Sequence, residues 1–155
     1  MDIKNSLTYL LTQLAIAYKN NLQKSMNVLG LHSGQLFVLI SLWENDGQSQ
    51  IDMAKNLNLA PPTINKMVGS LQRNGFIQCR KCENDGRSVR LFLTEKGLQS
   101  KIMVEEKWIE LEAFSFANLT DTEKLMLFQL FNKVKDNLSE NSNSFRQNFS
   151  DRSNT

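Results

Sequence analysis

The sequence predicts a mainly α-helical fold with one small β-hairpin. Along most of its 155 residues, apolar side chains recur every three or four positions, which is the period of an amphipathic helix. Residues 77–93 differ, because two runs of strand-forming residues flank an Asp85-Gly86 turn signal there. Four helical segments precede this hairpin and two follow it.

The first helix is expected over residues 3–28 and the second over residues 35–43. The apolar face of the first helix is a series of side chains three or four residues apart: Leu7, Leu11, Leu14, Tyr18 and Leu22. The second helix is apolar on most sides, which is typical of a helix at the centre of a core. We therefore expect the other elements to surround it.

Two short helices joined by a tight turn follow. Ser49 is suited to cap the first of them, with Asp52 as its partner three residues later. The second starts at Pro62, because proline is tolerated in the first turn of a helix. Near its start, the polar face carries Thr63, Asn65 and Lys66. This arrangement predicts a helix-turn-helix, and an ordinary helical hairpin is the alternative.

The β-hairpin directly behind these helices favours the helix-turn-helix. Its strands are expected over residues 77–82 and 89–93. Side chains alternate along a strand, so Arg90 points away from the apolar face of the second strand. The polar tip, residues 84–88, carries Arg87. A helix-turn-helix with such a flap is a winged helix-turn-helix, here flanked by long N- and C-terminal helices.

Two long helices, over residues 94–117 and 120–138, complete the ordered chain. Their apolar stripes, like that of the first helix, are wider than the compact core can cover. Exposed contiguous apolar surface usually marks an interface, and a two-fold dimer is the commonest arrangement. We therefore divide the chain into an N-terminal dimerisation helix (1–30), a winged helix-turn-helix domain (31–94), C-terminal dimerisation helices (95–138) and a tail expected to be disordered (139–155).

The overall charge of +2 is small, but its distribution is uneven. Residues 60–101 contain eight basic and three acidic residues, whereas the rest of the chain contains ten and thirteen. A basic middle segment indicates a polyanionic partner. No apolar run approaches the roughly 20 residues of a membrane span, and the N-terminus lacks the order of a signal peptide. We expect a cytoplasmic protein.

The sequence lacks the residue groups that catalysis, a metal or a cofactor requires. Its candidate zinc ligands, Cys79, Cys82 and His32, are too few and too scattered for a structural site. It has no H-x-x-x-H pair, no G-x-S-x-G turn and no glycine-rich phosphate loop. We therefore expect neither an enzyme nor a bound cofactor.

Residues 31–97 resemble the core of the MarR/SlyA family of bacterial transcription regulators, and the flanking helices match in placement and length. Three motifs, in order and at fitting separations, carry the resemblance. They are the exit from the helix after Pro62 (Leu71, Asn74, Gly75, Phe76, Ile77), the D-x-R tip (Asp85, Arg87) and the LTEKG run at residues 93–97.

The resemblance implies an obligate dimer, joined through its terminal helices, that binds a palindromic operator in double-stranded DNA and regulates transcription, as a repressor more than as an activator. The helix starting near Pro62 would enter the major groove. Its expected DNA-contacting residues are Pro62, Thr63, Asn65 and Lys66, and such side chains suit base edges or phosphates.

The wing would contact the adjacent minor groove through Arg87, because negative potential is enhanced in a narrow minor groove. Asp85 would steer the Arg87 guanidinium by a charge-assisted hydrogen bond, and Ser49 would offer its hydroxyl and N–H groups to a phosphate. Many members carry another arginine where this chain has Gly86. Arg90 would support the weakened wing through a phosphate.

Three further possibilities stay open. Family members often bind small aromatic or phenolic acids as effectors, and the residues expected here are Tyr18, Leu36 and Ile40; their alternative role is plain core. Cys79 and Cys82 invite a redox-sensing interpretation, although residues three apart on a strand point to opposite faces. A protein-interaction module that has lost specific DNA binding is another alternative, but Lys66 and Arg87 are present.

Overall fold

The computed structural model describes residues 2–81 and 89–140. After a 3₁₀ turn at Ile3–Asn5, the elements of this part of the chain are α1 (Leu7–Asn27), α2 (Ser33–Glu44), α3 (Gln50–Asn56), α4 (Pro61–Arg73), β1 (Ile77–Lys81), β2 (Val89–Leu93), α5 (Glu95–Ser115) and α6 (Asp121–Glu140). The two strands pair antiparallel, with Ile77 opposite Leu93. The expected mainly helical fold with one hairpin is confirmed.

The chain divides into two compact units, residues 1–112 and 113–155. In the first unit, α2 is the central helix, as its all-round apolar pattern predicts. Three of its leucines, Leu36, Leu39 and Leu42, are almost fully buried, and full burial of one such side chain contributes roughly 1.5–3 kcal/mol. Further core residues come from the elements around it, among them Met26, Met53, Ile64, Val68, Leu71, Ile77 and Leu91.

Several element boundaries differ by a few residues from those expected. The first helix is interrupted at Ser6, whose hydroxyl accepts a hydrogen bond from the Tyr9 N–H at 3.2 Å and caps α1. α4 starts at Pro61, one residue early, because both prolines fit the first turn. α6 continues to Glu140, so it includes Ser139 and Glu140, which were assigned to the tail. Residues 141–155 lie outside the described chain.

A close junction joins the end of α4 to the start of α5. Gly75 has φ +74°, a left-handed conformation that ends the helix without strain. The Thr94 hydroxyl donates to the Gly75 carbonyl at 2.6 Å and accepts from the Gly97 N–H at 3.1 Å, so it caps α5. Trp43 donates from Nε1 to the Gly97 carbonyl at 2.9 Å. This junction explains the LTEKG motif structurally.

Within the first unit, α1 and α5 expose large apolar side chains. On α1 they are Leu7, Leu10, Leu11, Leu14 and Ile16. On α5 they are Leu98, Ile102, Met103 and Ile109. In the second unit, α6 exposes its own apolar set: Leu125, Met126, Phe128, Leu130, Phe131, Val134 and Leu138. Such surfaces are unusual on a monomer unless they serve an interface.

Candidate nucleic-acid interface

The exposed face of α4 carries the side chains that the sequence assigned to the interface. Ile64, Val68 and Leu71 hold the opposite face in the core. The assigned residues, Pro62, Thr63, Asn65 and Lys66, are all exposed. Within the described chain, no hydrogen bond or ion pair engages the polar side chains among them. They are therefore available to an external partner.

The start of α4 has no side-chain cap, because Ala60 occupies the N-cap position. Proline lacks an N–H, so Pro61 and Pro62 reduce the number of uncapped donors in the first turn. Their fixed φ also suits the helix. The α4 start is therefore preorganised without a polar cap.

The N-terminus of α3 lies in the same helix-turn-helix, and Ser49 caps it as expected. Its hydroxyl accepts from the Asp52 N–H at 3.1 Å and donates to Asp52 Oδ2 at 2.7 Å. The hydroxyl proton is thus engaged within the cap, and the expected contact of this hydroxyl with a phosphate stays a prediction. The N–H groups of Gln50 and Ile51 have no intrahelical acceptor, as at every helix start.

A third extended segment, missed from the sequence, runs along the outer edge of β2. The Gly47 N–H donates to the Leu91 carbonyl at 2.9 Å, and the Leu91 N–H donates to Gln48 O at 2.9 Å. The Asp46 carboxylate accepts from the Leu93 N–H at 2.9 Å. The loop between α2 and α3 therefore anchors the hairpin to the helix-turn-helix.

Arg90 strengthens this anchor at the base of the wing. Its guanidinium donates to the Gly47 carbonyl at 2.8 Å. Arg80, which pairs with Arg90 in the strand register, lies with its guanidinium 4.8 Å from the centre of the Phe92 ring. Arg90 thus has a contact within the protein at the base of the wing, and its expected phosphate contact stays a prediction. Asp85, Gly86 and Arg87 lie outside the described residues.

Gln48 links the end of α2 to α3 and is another residue that periodicity did not identify. It is buried, and its amide nitrogen donates to the carbonyls of Ser41 and Asn45, both at 2.7 Å. Its carbonyl oxygen accepts from Asn56 Nδ2 at 3.2 Å. A buried polar side chain with every group satisfied fixes the position of the elements it joins.

The cysteine pair lies only partly within the described chain. Cys79 is a free, half-buried thiol 3.4 Å from Gln72 Oε1, and Cys82 is outside the described residues. Burial raises the pKa of the Cys79 thiol. A raised thiol pKa reduces the thiolate fraction that oxidants attack, so the environment of Cys79 disfavours a redox-sensing role.

The three expected effector residues contribute mainly to the core. Leu36 is 0% exposed, while Tyr18 and Ile40 pack partly buried against the core. Burial, with a smaller effect of the nearby Glu112 carboxylate, raises the pKa of Tyr18. A cavity of about 320 Å³ lies between α2 and α3, and of these three residues only Ile40 lines it, together with Phe37 and others.

Within residues 2–81 and 89–140, no group of His, Cys, Asp and Glu side chains is arranged to hold a metal ion. The same part of the chain contains no helix with the length and hydropathy of a membrane span. The basic side chains of residues 60–101 include Lys66 on α4 and Arg90 at the base of the wing. Positive charge therefore lies on the elements that carry the exposed polar face.

An exposed polar face on the second helix of a helix-turn-helix, backed by a β-hairpin, defines a winged helix-turn-helix DNA-binding protein. The family model described as "MarR family" matches residues 31–89. This match agrees with the resemblance that the sequence motifs indicated, and the known proteins to which the chain is similar are transcription regulators and not enzymes.

Known proteins similar to this chain agree with that assignment. The organic hydroperoxide resistance transcriptional regulator of Bacillus subtilis is 26% identical over 111 residues, covering 72% of this chain and 73% of that protein. A putative MarR family regulator from Listeria monocytogenes, solved in complex with 26mer DNA, superposes with a TM-score of 0.76 at 25% identity, covering 88% of this chain and 91% of that one. The PcaV regulator from Streptomyces coelicolor, solved with its natural ligand, has a TM-score of 0.74 at 24% identity, covering 88% and 96%.

Proposed function

We propose that this protein is a cytoplasmic, homodimeric repressor that binds a palindromic operator and is released by a small-molecule effector. The observation that carries the proposal is the exposed face of α4, where Thr63, Asn65 and Lys66 have no partner within the described chain. Polar side chains on a well-packed helix usually form hydrogen bonds with other protein groups or with water. These three side chains have no protein partner in the described part of the chain, so they can exchange water for an external one. Their position at the start of the second helix of a helix-turn-helix is the position from which such proteins read bases.

The chemistry of these side chains matches base edges in the major groove. Asn65 can form two hydrogen bonds with adenine, and Lys66 suits guanine O6 and N7 or a phosphate. Thr63 offers a hydroxyl to either strand and a methyl group to thymine. The N–H groups at the start of α3, next to Ser49, are suited to a phosphate and would fix the register of α4 on the duplex.

The wing would add a minor-groove contact through Arg87, steered by Asp85. Support comes from the base of the wing, where Arg90 and the segment from Asp46 to Gln48 bind the hairpin to the loop before α3. These contacts fix the base of the hairpin relative to the helix-turn-helix. The Listeria regulator of similar fold was solved in complex with DNA, which agrees with a DNA-binding role for this fold.

A homodimer would bury the exposed apolar side chains of α1 and α5, such as Leu14, Ile102 and Ile109. Those of α6, including Phe128, would be buried in the same assembly. Burial of apolar surface contributes about 25 cal/mol per Å², and two-fold dimers present two recognition helices to the two halves of a palindrome. Occupying an operator with such a dimer would block access to the promoter.

A small effector would shift the protein between DNA-competent and DNA-incompetent states. The Streptomyces regulator of similar fold was solved with its natural ligand, and this chain has a cavity between α2 and α3. Of the residues expected from the sequence, Ile40 lines that cavity, while Tyr18 and Leu36 lie in or against the core. We therefore assign the effector to the cavity and a packing role to Tyr18 and Leu36.

The proposal is tested by binding of the purified protein to a labelled DNA fragment from upstream of its own gene, with excess unrelated DNA. Lys66→Ala should weaken binding roughly tenfold or more if Lys66 contacts a base. Lys133→Ala is the matched control, because this exposed lysine on α6 lies outside the predicted interface. The logarithm of affinity should fall linearly with the logarithm of salt concentration.

If excess unrelated DNA abolishes all binding to the labelled fragment, the binding is non-specific. That result would contradict an operator-specific repressor. No binding at low salt by a folded dimer would favour the protein-interaction module. Equal effects of Lys66→Ala and Lys133→Ala would show that α4 does not read the operator.

A further inference from the structure

We infer that the cavity between α2 and α3 binds a small amphiphilic organic cation, and not the aromatic acid that the family resemblance suggested. This inference rests on the proposed effector function and specifies the chemistry of the effector. The cavity has a volume of about 320 Å³, at the lower end of the usual range for small-molecule sites. Its principal walls are Phe37, Ile40, Ser41, Glu44, Asn56 and Leu57.

The charge of the cavity selects a cation. Glu44 is the only ionisable side chain among its lining residues in the described chain. It is exposed, and within the described chain no hydrogen bond or ion pair neutralises its carboxylate. An anionic ligand would be repelled by this carboxylate, whereas an ammonium group would gain a charge-assisted hydrogen bond or ion pair.

The end of α2 adds negative potential at the same place. Glu44 is the last residue of this 12-residue helix, and a helix C-terminus carries partial negative charge, part of which the Gln48 amide offsets by donating to the Ser41 and Asn45 carbonyls. The two sources are independent, since one is a side chain and the other is the backbone. Both favour positive charge at the polar end of the cavity.

The rest of the cavity suits an apolar or aromatic body. Ile40 and Leu57 supply aliphatic walls, and Phe37 is an aromatic side chain that is 46% exposed. An aromatic ring at the edge of a site attracts cations over its face, more strongly as they are desolvated. The hydroxyl of Ser41 and the amide of Asn56 offer hydrogen bonds to a polar substituent.

The position of the cavity connects its occupancy to DNA binding. Gln48 lines the cavity and bridges the end of α2 to Asn56 on α3. α3 supports α4, and the segment next to Gln48 holds the hairpin. A ligand that separates α2 from α3 would therefore change the spacing between α4 and the wing. Such a ligand would release DNA if it binds the altered state more tightly.

Three probes of similar size separate the chemistry of the ligand: benzyltrimethylammonium, benzyl alcohol and phenylacetate. Each is titrated calorimetrically into the full-length protein, and operator affinity is measured with and without it. Benzyltrimethylammonium should bind most tightly, and Glu44→Gln should weaken its binding roughly two- to fivefold, the effect of an ion pair with an exposed carboxylate, because a quaternary ammonium has no N–H to donate. Glu106→Gln, an exposed glutamate on α5 without a partner in the described chain, is the matched control.

Tighter binding of phenylacetate, equal loss in the two glutamate variants, or no binding of any probe would overturn the inference. Binding of the cation without any change in operator affinity would overturn its regulatory role. Operator binding is measured first in the absence of probes, so a failure of the DNA-binding proposal is distinguished from a failure of the cation site. Unchanged thermal unfolding of Glu44→Gln shows that its effect is local.

Discussion

Replacing Gly97 by alanine is predicted to destabilise the first unit, although alanine is the better helix former by about 1 kcal/mol. A Cβ at this position would overlap the carbonyl oxygen of Phe76 and lie 3.1 Å from Leu93 Cδ2. The obstacle is backbone and cannot rotate away. Relief therefore requires the start of α5 to move away from the turn between α4 and β1.

That movement would weaken at least two hydrogen bonds. They are the Trp43 Nε1 bond to the Gly97 carbonyl, at 2.9 Å, and the Thr94 N–H bond to the Phe76 carbonyl, at 3.0 Å. At about 1 kcal/mol for each bond and about 2 kcal/mol for overpacking, the loss exceeds the gain in helix propensity. We expect a net decrease of roughly 3 kcal/mol in the free energy of unfolding.

Gly69→Ala is the matched control for Gly97→Ala. A Cβ at Gly69 would meet only Arg73 Nη1, at 3.5 Å, an ordinary contact. That variant should therefore be more stable by roughly 0.5–1 kcal/mol. Urea unfolding followed by circular dichroism, at one protein concentration, measures both variants. A Gly97→Ala protein as stable as the parent would refute the close-packing argument for this junction.

Three further predictions follow from single side chains. Gln48→Met should lower the free energy of unfolding by roughly 2 kcal/mol, because the Asn45 carbonyl and the Asn56 amide lose a buried partner; Gln99→Met, at an exposed position, should change it little in the same urea titration. Cys79 should react with a thiol reagent at pH 8 more slowly than it does in urea, since burial raises its pKa; equal rates would contradict this. Hydrogen bonds from the Thr120 hydroxyl and N–H lower the pKa of Glu123 below its ordinary value of 4.5. The stabilisation of α6 by this cap is therefore fully present above the unfolded-state pKa and is lost as pH falls through the folded-state pKa. Thr120→Ala should raise the pKa of Glu123 in an NMR titration, and an unchanged pKa would contradict the assignment.

Periodicity predicted the elements because it reports burial directly. The pattern of α4 placed Ile64, Val68 and Leu71 inside and Thr63 and Lys66 outside, as the structure has them. The cap at Ser49 was also predicted from the sequence, because it involves only residues of the same helix turn. What acts over three or four residues is readable from the sequence.

Contacts between distant segments were not readable in the same way. The bond from Arg90 to Gly47 joins residues 43 positions apart, and the bond from Trp43 to Gly97 joins residues 54 apart. The Asp46-Gly47 pair is a typical turn sequence, so a turn was predicted there. The sequence did not predict that this segment also pairs with the edge of β2. The effector residues expected from the sequence differ from those that line the cavity for a related reason. Which face of α2 borders a cavity depends on where α3 packs, and that face carries Phe37 and Glu44.

The most direct test of DNA recognition by α4 and the wing is methylation protection of the bound operator by dimethyl sulfate. This reagent modifies guanine N7 in the major groove and adenine N3 in the minor groove. Two protected guanine clusters about one helical turn apart are expected, and their protection should be lost selectively in Lys66→Ala. Flanking adenine protection should be lost selectively in Arg87→Ala. Protection confined to one groove, or lost equally in both variants, would contradict the assignment of α4 to the major groove and the wing to the minor groove.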